Sequence, residues 1–110
     1  MPRSRMTPAL FELVAARFKA FGEPVRLQIL HALANGERTV SELVRDTDIA
    51  QANLSRHLQQ LLALGFVARR KRGLWAYYRL ADAEVLRLCE LMCGRLEKET
   101  AARKAALKSA

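Results

Sequence analysis

Three groups of side chains in this chain could do chemistry. The first is polar and sits at the start of an apolar-periodic run: Gln51, Asn53, Ser55, Arg56 and His57. Gln and Asn side chains can pair bidentately with adenine in the major groove of DNA, and Arg with guanine. Ser55 can reach a base or a phosphate, and His57, on the flank, a phosphate. The second group is four consecutive cations, Arg69-Arg70-Lys71-Arg72. These repel one another in isolation, and a neighbouring phosphate backbone would resolve that. The third is Cys89 and Cys93, four residues apart and so neighbours on one helix face. Such thiols can pack as small apolar residues, act as a redox or sulfur switch, or hold a soft ion such as arsenite, a heavy metal or zinc.

The elements that must position these groups follow from caps and periodicity. Thr7-Pro8 opens a first helix, carried by Leu10, Phe11, Leu13, Val14 and Phe18 and broken by Gly22. Pro24 opens a second, with Val25, Leu27, Ile29, Leu30 and Leu33 as its apolar side, and Asn35-Gly36 ends it. Thr39-Val40-Ser41-Glu42 fits a capping box and begins a short third helix that ends near Asp46-Thr47-Asp48. A fourth helix is predicted from Gln51 to Leu64, with Leu54, Leu58, Leu61 and Leu62 on one side. Ala52, Asn53, Arg56, Gln59, Gln60 and Ala63 lie opposite.

After Gly65 the period changes to that of strands. Phe66 to Lys71 and Leu74 to Leu80 flank Arg72-Gly73, a hairpin signal. Leu74, Ala76, Tyr78 and Leu80 are expected to face the core, and Trp75, Tyr77 and Arg79 the other way. Asp82 can cap a last helix over Ala83 to about Ala106, with an apolar stripe that includes Val85, Leu86, Leu88, Met92 and Leu96. The order is four helices, a small β-hairpin and a helix. The short-helix, turn, longer-helix pair over 40–64 is a candidate helix-turn-helix, whose second helix would enter the major groove.

Composition bounds the rest. A chain of 110 residues, 51% hydrophobic, can bury one core but not two of ordinary size. A single domain over 1–110 is expected, with its core at about 8–96 and a frayed, solvated, charged tail at 97–110. Lys and Arg number 19 against 11 Asp and Glu, a formal charge of +8, which suits a polyanionic partner. Aromatics are only 6% and are not interleaved with the basic residues, unlike a single-strand stacking platform. Two Cys do not make a disulfide scaffold. The basic start, Met1 to Arg5, leads into an amphipathic stretch rather than a signal-peptide core. A soluble, cytoplasmic protein without a membrane partner is expected.

The stretch "LSRHLQQLLALGFVARRKRGLWAYYRL", with "FKAFGEPVRLQILHAL" before it, closely resembles the ArsR/SmtB family of bacterial winged-helix repressors. The resemblance covers about residues 9–93. It implies a winged helix-turn-helix fold and a homodimer joined through the first and last helices. It also implies two recognition helices on a pseudo-palindromic duplex operator, and release by an effector. Gln51, Asn53, Ser55, Arg56 and His57 fall in the family's recognition segment, and Arg70 and Arg72 in its wing. The family often has Ser just before Gln51; this chain has Ala50, a poor cap, so Asp48 is an alternative earlier cap.

The resemblance also narrows the effector. One group of relatives carries Cys-x-Cys in the third helix, where this chain has Thr39 and Ser41, and neutral hydroxyls do not replace thiolates as soft-metal ligands. Another binds zinc between last helices through Asp, two His and Glu. The two histidines here, His31 and His57, both lie outside the last helix, and His31 reads as a partly buried helix residue. The usual sulfur-sensing pair spans the second and last helices, and no Cys occurs in the second. Cys89 and Cys93 remain, with packing, thiol switch and soft-ion site all open. An intrachain disulfide would strain the helix because the two Cβ vectors run nearly parallel; a bond between subunits would not.

No enzyme is expected: there is no Gly-rich phosphate loop, no Ser/His/acid constellation and no metal-ligand cluster beyond the two Cys. The rival reading is a winged helix that serves protein interaction or sequence-blind nucleic-acid binding without an inducer.

Overall fold

The computed structural model describes residues 6–108; the start of the basic N-terminus, 1–5, and the last two tail positions, 109–110, lie outside them. Five α-helices and one hairpin follow in the order α1 (Pro8–Phe21), α2 (Pro24–Ala32), α3 (Val40–Thr47), α4 (Gln51–Ala63), β1 (Val67–Arg72), β2 (Trp75–Leu80) and α5 (Arg87–Lys108). Short 3₁₀ turns at Leu33–Asn35 and Ala83–Leu86 complete the elements among the described residues. This is a winged helix-turn-helix, mainly α with a two-stranded antiparallel hairpin.

Local chemistry explains the boundaries. Thr7 Oγ1 accepts from the Leu10 amide at 3.2 Å, with Pro8 in the first turn. The capping box of α3 is closed both ways: Thr39 Oγ1 accepts from Glu42 N at 3.2 Å, and Glu42 Oε1 accepts from Thr39 N at 2.9 Å. Asp48 ends α3 in the left-handed region (φ 59°) instead of capping α4. Ala50 occupies the N-cap position of α4 and supplies no side-chain cap. The turn is held from within, since Thr47 Oγ1 accepts from Ile49 N and donates to Leu43 O at 2.6 Å, and Ile49 packs against the core.

The core gathers Ile29, Leu30 and Leu33 from α2 and its 3₁₀ turn, Leu43 from α3, and Leu54, Leu58 and Leu61 from α4, all at most 2% exposed. Each such burial contributes roughly 1.5–3 kcal/mol, so the helix-turn-helix is fixed to α2 by seven aliphatic anchors. Phe66, Val67, Tyr78, Val85 and Leu86 close it from the hairpin side. Phe66 stacks obliquely on Phe21 of α1 (centroids 4.7 Å apart), and the Arg17 guanidinium lies 5.8 Å from the Phe66 centroid.

Four expectations are corrected here: the turn, Leu74, the start of the last helix and its frayed end. The hairpin turn is Gly73-Leu74, one residue later than expected, because Arg72 pairs with Trp75. Gly73 takes φ 64°, which suits the first central position of a two-residue turn. Leu74 is therefore at the tip, 99% exposed, and not in the core; Ala76, Tyr78 and Leu80 do face inward. Asp82 caps the 3₁₀ turn, accepting from Glu84 N at 2.9 Å, and the α-helix proper starts at Arg87. That helix runs through the charged tail to Lys108, supported by exposed pairs such as Arg95 with Glu99.

Candidate nucleic-acid interface

Helix α4 is amphipathic, and its two sides have separate tasks. Leu54, Leu58 and Leu61 hold it to α2 and α3. Gln51 and Arg56 are exposed, and Asn53 and Ser55 half-buried, along its first two turns. Arg56 Nη2 donates to Asn53 Oδ1 at 2.7 Å, so these two side chains are presented together. Their donors and acceptors match what base edges in a major groove offer.

His57 is placed differently from the expectation. It is 6% exposed, on the core side of the helix, and its Nδ1 accepts from Arg26 Nε of α2 at 3.2 Å. A ring so enclosed cannot meet a phosphate on the outside, and its task is to anchor the helix. Burial lowers its pKa, and the charges of Arg56 and Arg26 lower it further, against a smaller raising effect of Glu23. Arg26 Nη2 also donates to Gln60 Oε1, binding a second residue of α4 to α2. On the hairpin side, Gln59 Nε2 donates to the Tyr78 hydroxyl at 3.4 Å.

The hairpin carries Arg69, Arg70, Lys71 and Arg72 in an exposed run on β1. Backbone bonds between Arg38 and Tyr78, at 2.9 and 2.8 Å, join β2 to the segment before α3. Wing and helix-turn-helix are thus one hydrogen-bonded unit. Arg70 is engaged bidentately by Glu37, at 2.7 and 2.8 Å, which draws the Glu37 carboxyl below its ordinary range. Arg72 has exposed surface near the tip.

Cys89 is half-buried and Cys93 exposed, on the side of α5 that borders a groove also lined by Phe18 of α1 and by Leu27 and His31 of α2. Burial pushes the Cys89 thiol up. Cys93 Sγ donates to Glu97 Oε1 at 3.6 Å, and this contact pushes its thiol up as well. Among the described residues no group of three or more His, Cys, Asp or Glu side chains gathers to hold a metal ion. None of their helices is long and apolar enough to cross a membrane.

The sequence reading does not single out Arg26, which braces α4, Glu37, which holds Arg70, or Arg79, which lies beside Glu37. Arg26 and Glu37 act through partners 31 and 33 positions away, beyond any local pattern. For Arg79 a signal existed: strand alternation already put it on the outward face.

The family model described as "Bacterial regulatory protein, arsR family" matches residues 23–69, from the start of α2 into the wing. An HTH-type transcriptional regulator of Methanocaldococcus jannaschii is 39% identical over 83 residues, covering 74% of this chain and 93% of that protein. The arsenical resistance operon repressor of Bacillus subtilis is 36% identical over 80 residues, covering 70% of this chain and 76% of the relative. Among solved structures, a homodimeric winged helix-turn-helix DNA-binding domain from Mycobacterium bovis superposes with a TM-score of 0.75 at 36% identity, covering 89% of this chain and 91% of that one.

Proposed function

The chain belongs to the arsR family of bacterial regulatory proteins, and from that premise we propose that it is a homodimeric transcriptional repressor. Each protomer inserts α4 into the major groove of one half of a pseudo-palindromic operator, reading it with Gln51, Asn53, Ser55 and Arg56. Arg70 and Arg72 of the wing meet flanking phosphates. The observation that carries this reading is the division of α4: its leucines are locked in the core while Gln51 and Arg56 stand uncovered.

A second copy of the chain is the natural cover for α5. Among the described residues none of its 22 is buried, and Leu88, Leu91, Met92 and Leu96 are exposed along it, as are Phe11 and Phe18 of α1. Exposed apolar area of this extent marks an association surface, and the homodimeric relative supports the assignment. Pairing of this kind sets the two recognition helices about 34 Å apart, one turn of the duplex.

The effector acts on α5, at Cys89 and Cys93, and is a thiophilic ion of the arsenite class. Burial at Cys89 and the Glu97 contact at Cys93 both disfavour the thiolate that an oxidant attacks, whereas a soft ion displaces the protons itself. The name of the Bacillus subtilis relative points to the same class. Release requires the ion to bind the DNA-incompetent arrangement more tightly.

Competition binding tests the core of the proposal. A repressor prefers its operator over mixed-sequence duplex by a factor on the order of a thousand or more. A module that only shows salt-sensitive, sequence-blind affinity would overturn it.

A further inference from the structure

The face of the wing that carries Arg70 and Arg72 holds two further charged groups that the reading above leaves unused, Glu37 and Arg79. In the hairpin register Arg70 pairs with Tyr77, Arg72 with Trp75 and Ala68 with Arg79. Directly paired residues share a face, and faces alternate along each strand. Arg70, Arg72 and Arg79 therefore stand together, opposite the side that buries Tyr78. The Arg38–Tyr78 bridge lays the segment before α3 antiparallel beside β2. With Arg38 on the Tyr78 side, Glu37 falls on the arginine side. Its carboxylate accepts both bonds of the Arg70 fork, and Arg79 and Arg72 add to the attraction. Glu37, Arg70 and Arg79 line a shallow hollow there, Arg69 lines it from the strand's other face, and Arg72 stands beyond it toward the tip. One carboxylate faces three guanidiniums, so the hollow keeps an excess of positive charge.

We infer that this hollow is an anion-exchange cradle: Glu37 holds Arg70 while DNA is absent, and a duplex phosphodiester takes the carboxylate's place on binding, with Arg72 and Arg79 as its further partners. The inference rests on the DNA-binding reading and specifies one of its sites. Glu37 and Arg70 side chains are 28% and 51% exposed, and an ion pair so hydrated is weak enough to be exchanged. The guanidinium fork accepts a phosphate in the same bidentate geometry as a carboxylate. A purely structural role for the pair is redundant, because the backbone bridge at Arg38 already fixes the wing to the segment that carries Glu37.

The test is fluorescence anisotropy on a short mixed-sequence duplex across a range of NaCl, for wild type, Glu37→Gln, Arg70→Gln, Arg79→Gln and the Glu37→Gln/Arg70→Gln double variant. Glu37→Gln is expected to tighten binding by about two- to fivefold with little change in salt slope. Arg70→Gln and Arg79→Gln should each weaken binding and flatten the slope by about 0.9. The double variant should bind like Arg70→Gln alone. Weaker or unchanged binding by Glu37→Gln overturns the exchange and leaves the pair as a brace. An equal gain in the Arg70→Gln background overturns it too, since the gain would then come from net charge alone. An Arg79→Gln slope equal to wild type removes Arg79 from the cradle and overturns the three-arginine site. A wild type that binds duplex without salt dependence defeats the DNA reading itself; a salt-dependent wild type with an unresponsive Glu37→Gln defeats only the cradle.

Discussion

Replacing Arg26 with Met tests how the recognition helix is held in place. Met keeps much of the stem volume and removes the charge and every donor. Two bonds are lost, to His57 Nδ1 at 3.2 Å and to Gln60 Oε1. Gln60 is exposed and rehydrates at little cost, so the penalty falls on His57, which is 6% exposed. A buried acceptor left without its donor costs about 1–3 kcal/mol. In a domain of this size each kcal/mol lowers Tm by roughly 4–8 °C, so a fall of at least about 4 °C is expected at pH 8. The deficit should shrink at pH 5.5, because losing the Arg26 charge lets His57 take up a proton more easily. Thermal melts at one fixed protein concentration measure both, with Gln60→Ala as a control expected to stay within about 0.5 kcal/mol of wild type. An Arg26→Met protein that melts like wild type at pH 8, or a Gln60→Ala protein that loses as much, refutes the anchoring role of His57.

Arg56→Ala should cost about 1–3 kcal/mol in operator binding and relax base preference at one position, read by titration against single base-pair variants; normal repression by this variant would misplace the recognition helix. His57 also sets a pH dependence. Its folded pKa lies below the ordinary 6.5, so the unfolded chain takes up the proton first as pH falls. Its contribution to stability is whole above about pH 6.5 and declines below it, toward the folded pKa. Urea melts from pH 8 to pH 5 should show this decline, and a His57→Gln protein with the same decline would assign it elsewhere. The Cys89→Ser/Cys93→Ser variant should still bind operator but stay bound in arsenite; release as complete as that of wild type would end the case for these thiols.

Much of the fold was legible because its signals are local. Thr7-Pro8 and the Thr39–Glu42 box mark helix starts through bonds spanning three residues, and a change of period after Gly65 announces strands. The turn was displaced by one residue because Arg72-Gly73 and Gly73-Leu74 both offer a glycine, and only pairing of Arg72 with Trp75 decides between them. A helical wheel puts His57 on the flank because it gives direction but not what waits there; Arg26 of α2 turns that direction into interior. The polar face of α4 was visible as a pattern of side chains. The Glu37–Arg70 pair was not, since it depends on a strand-like pairing 40 residues apart in sequence, between Arg38 and Tyr78.

That same pairing limits how an inducer can work. Because β2 is stitched by main-chain bonds to the chain entering α3, and α3 is packed through buried side chains on α4, finger and rod are coupled to each other through α3. The reading head is a single casting. On the proposed reading, a signal arriving at the long terminal helix is spent on moving one whole head relative to its twin, so that the span between them no longer matches a turn of the duplex.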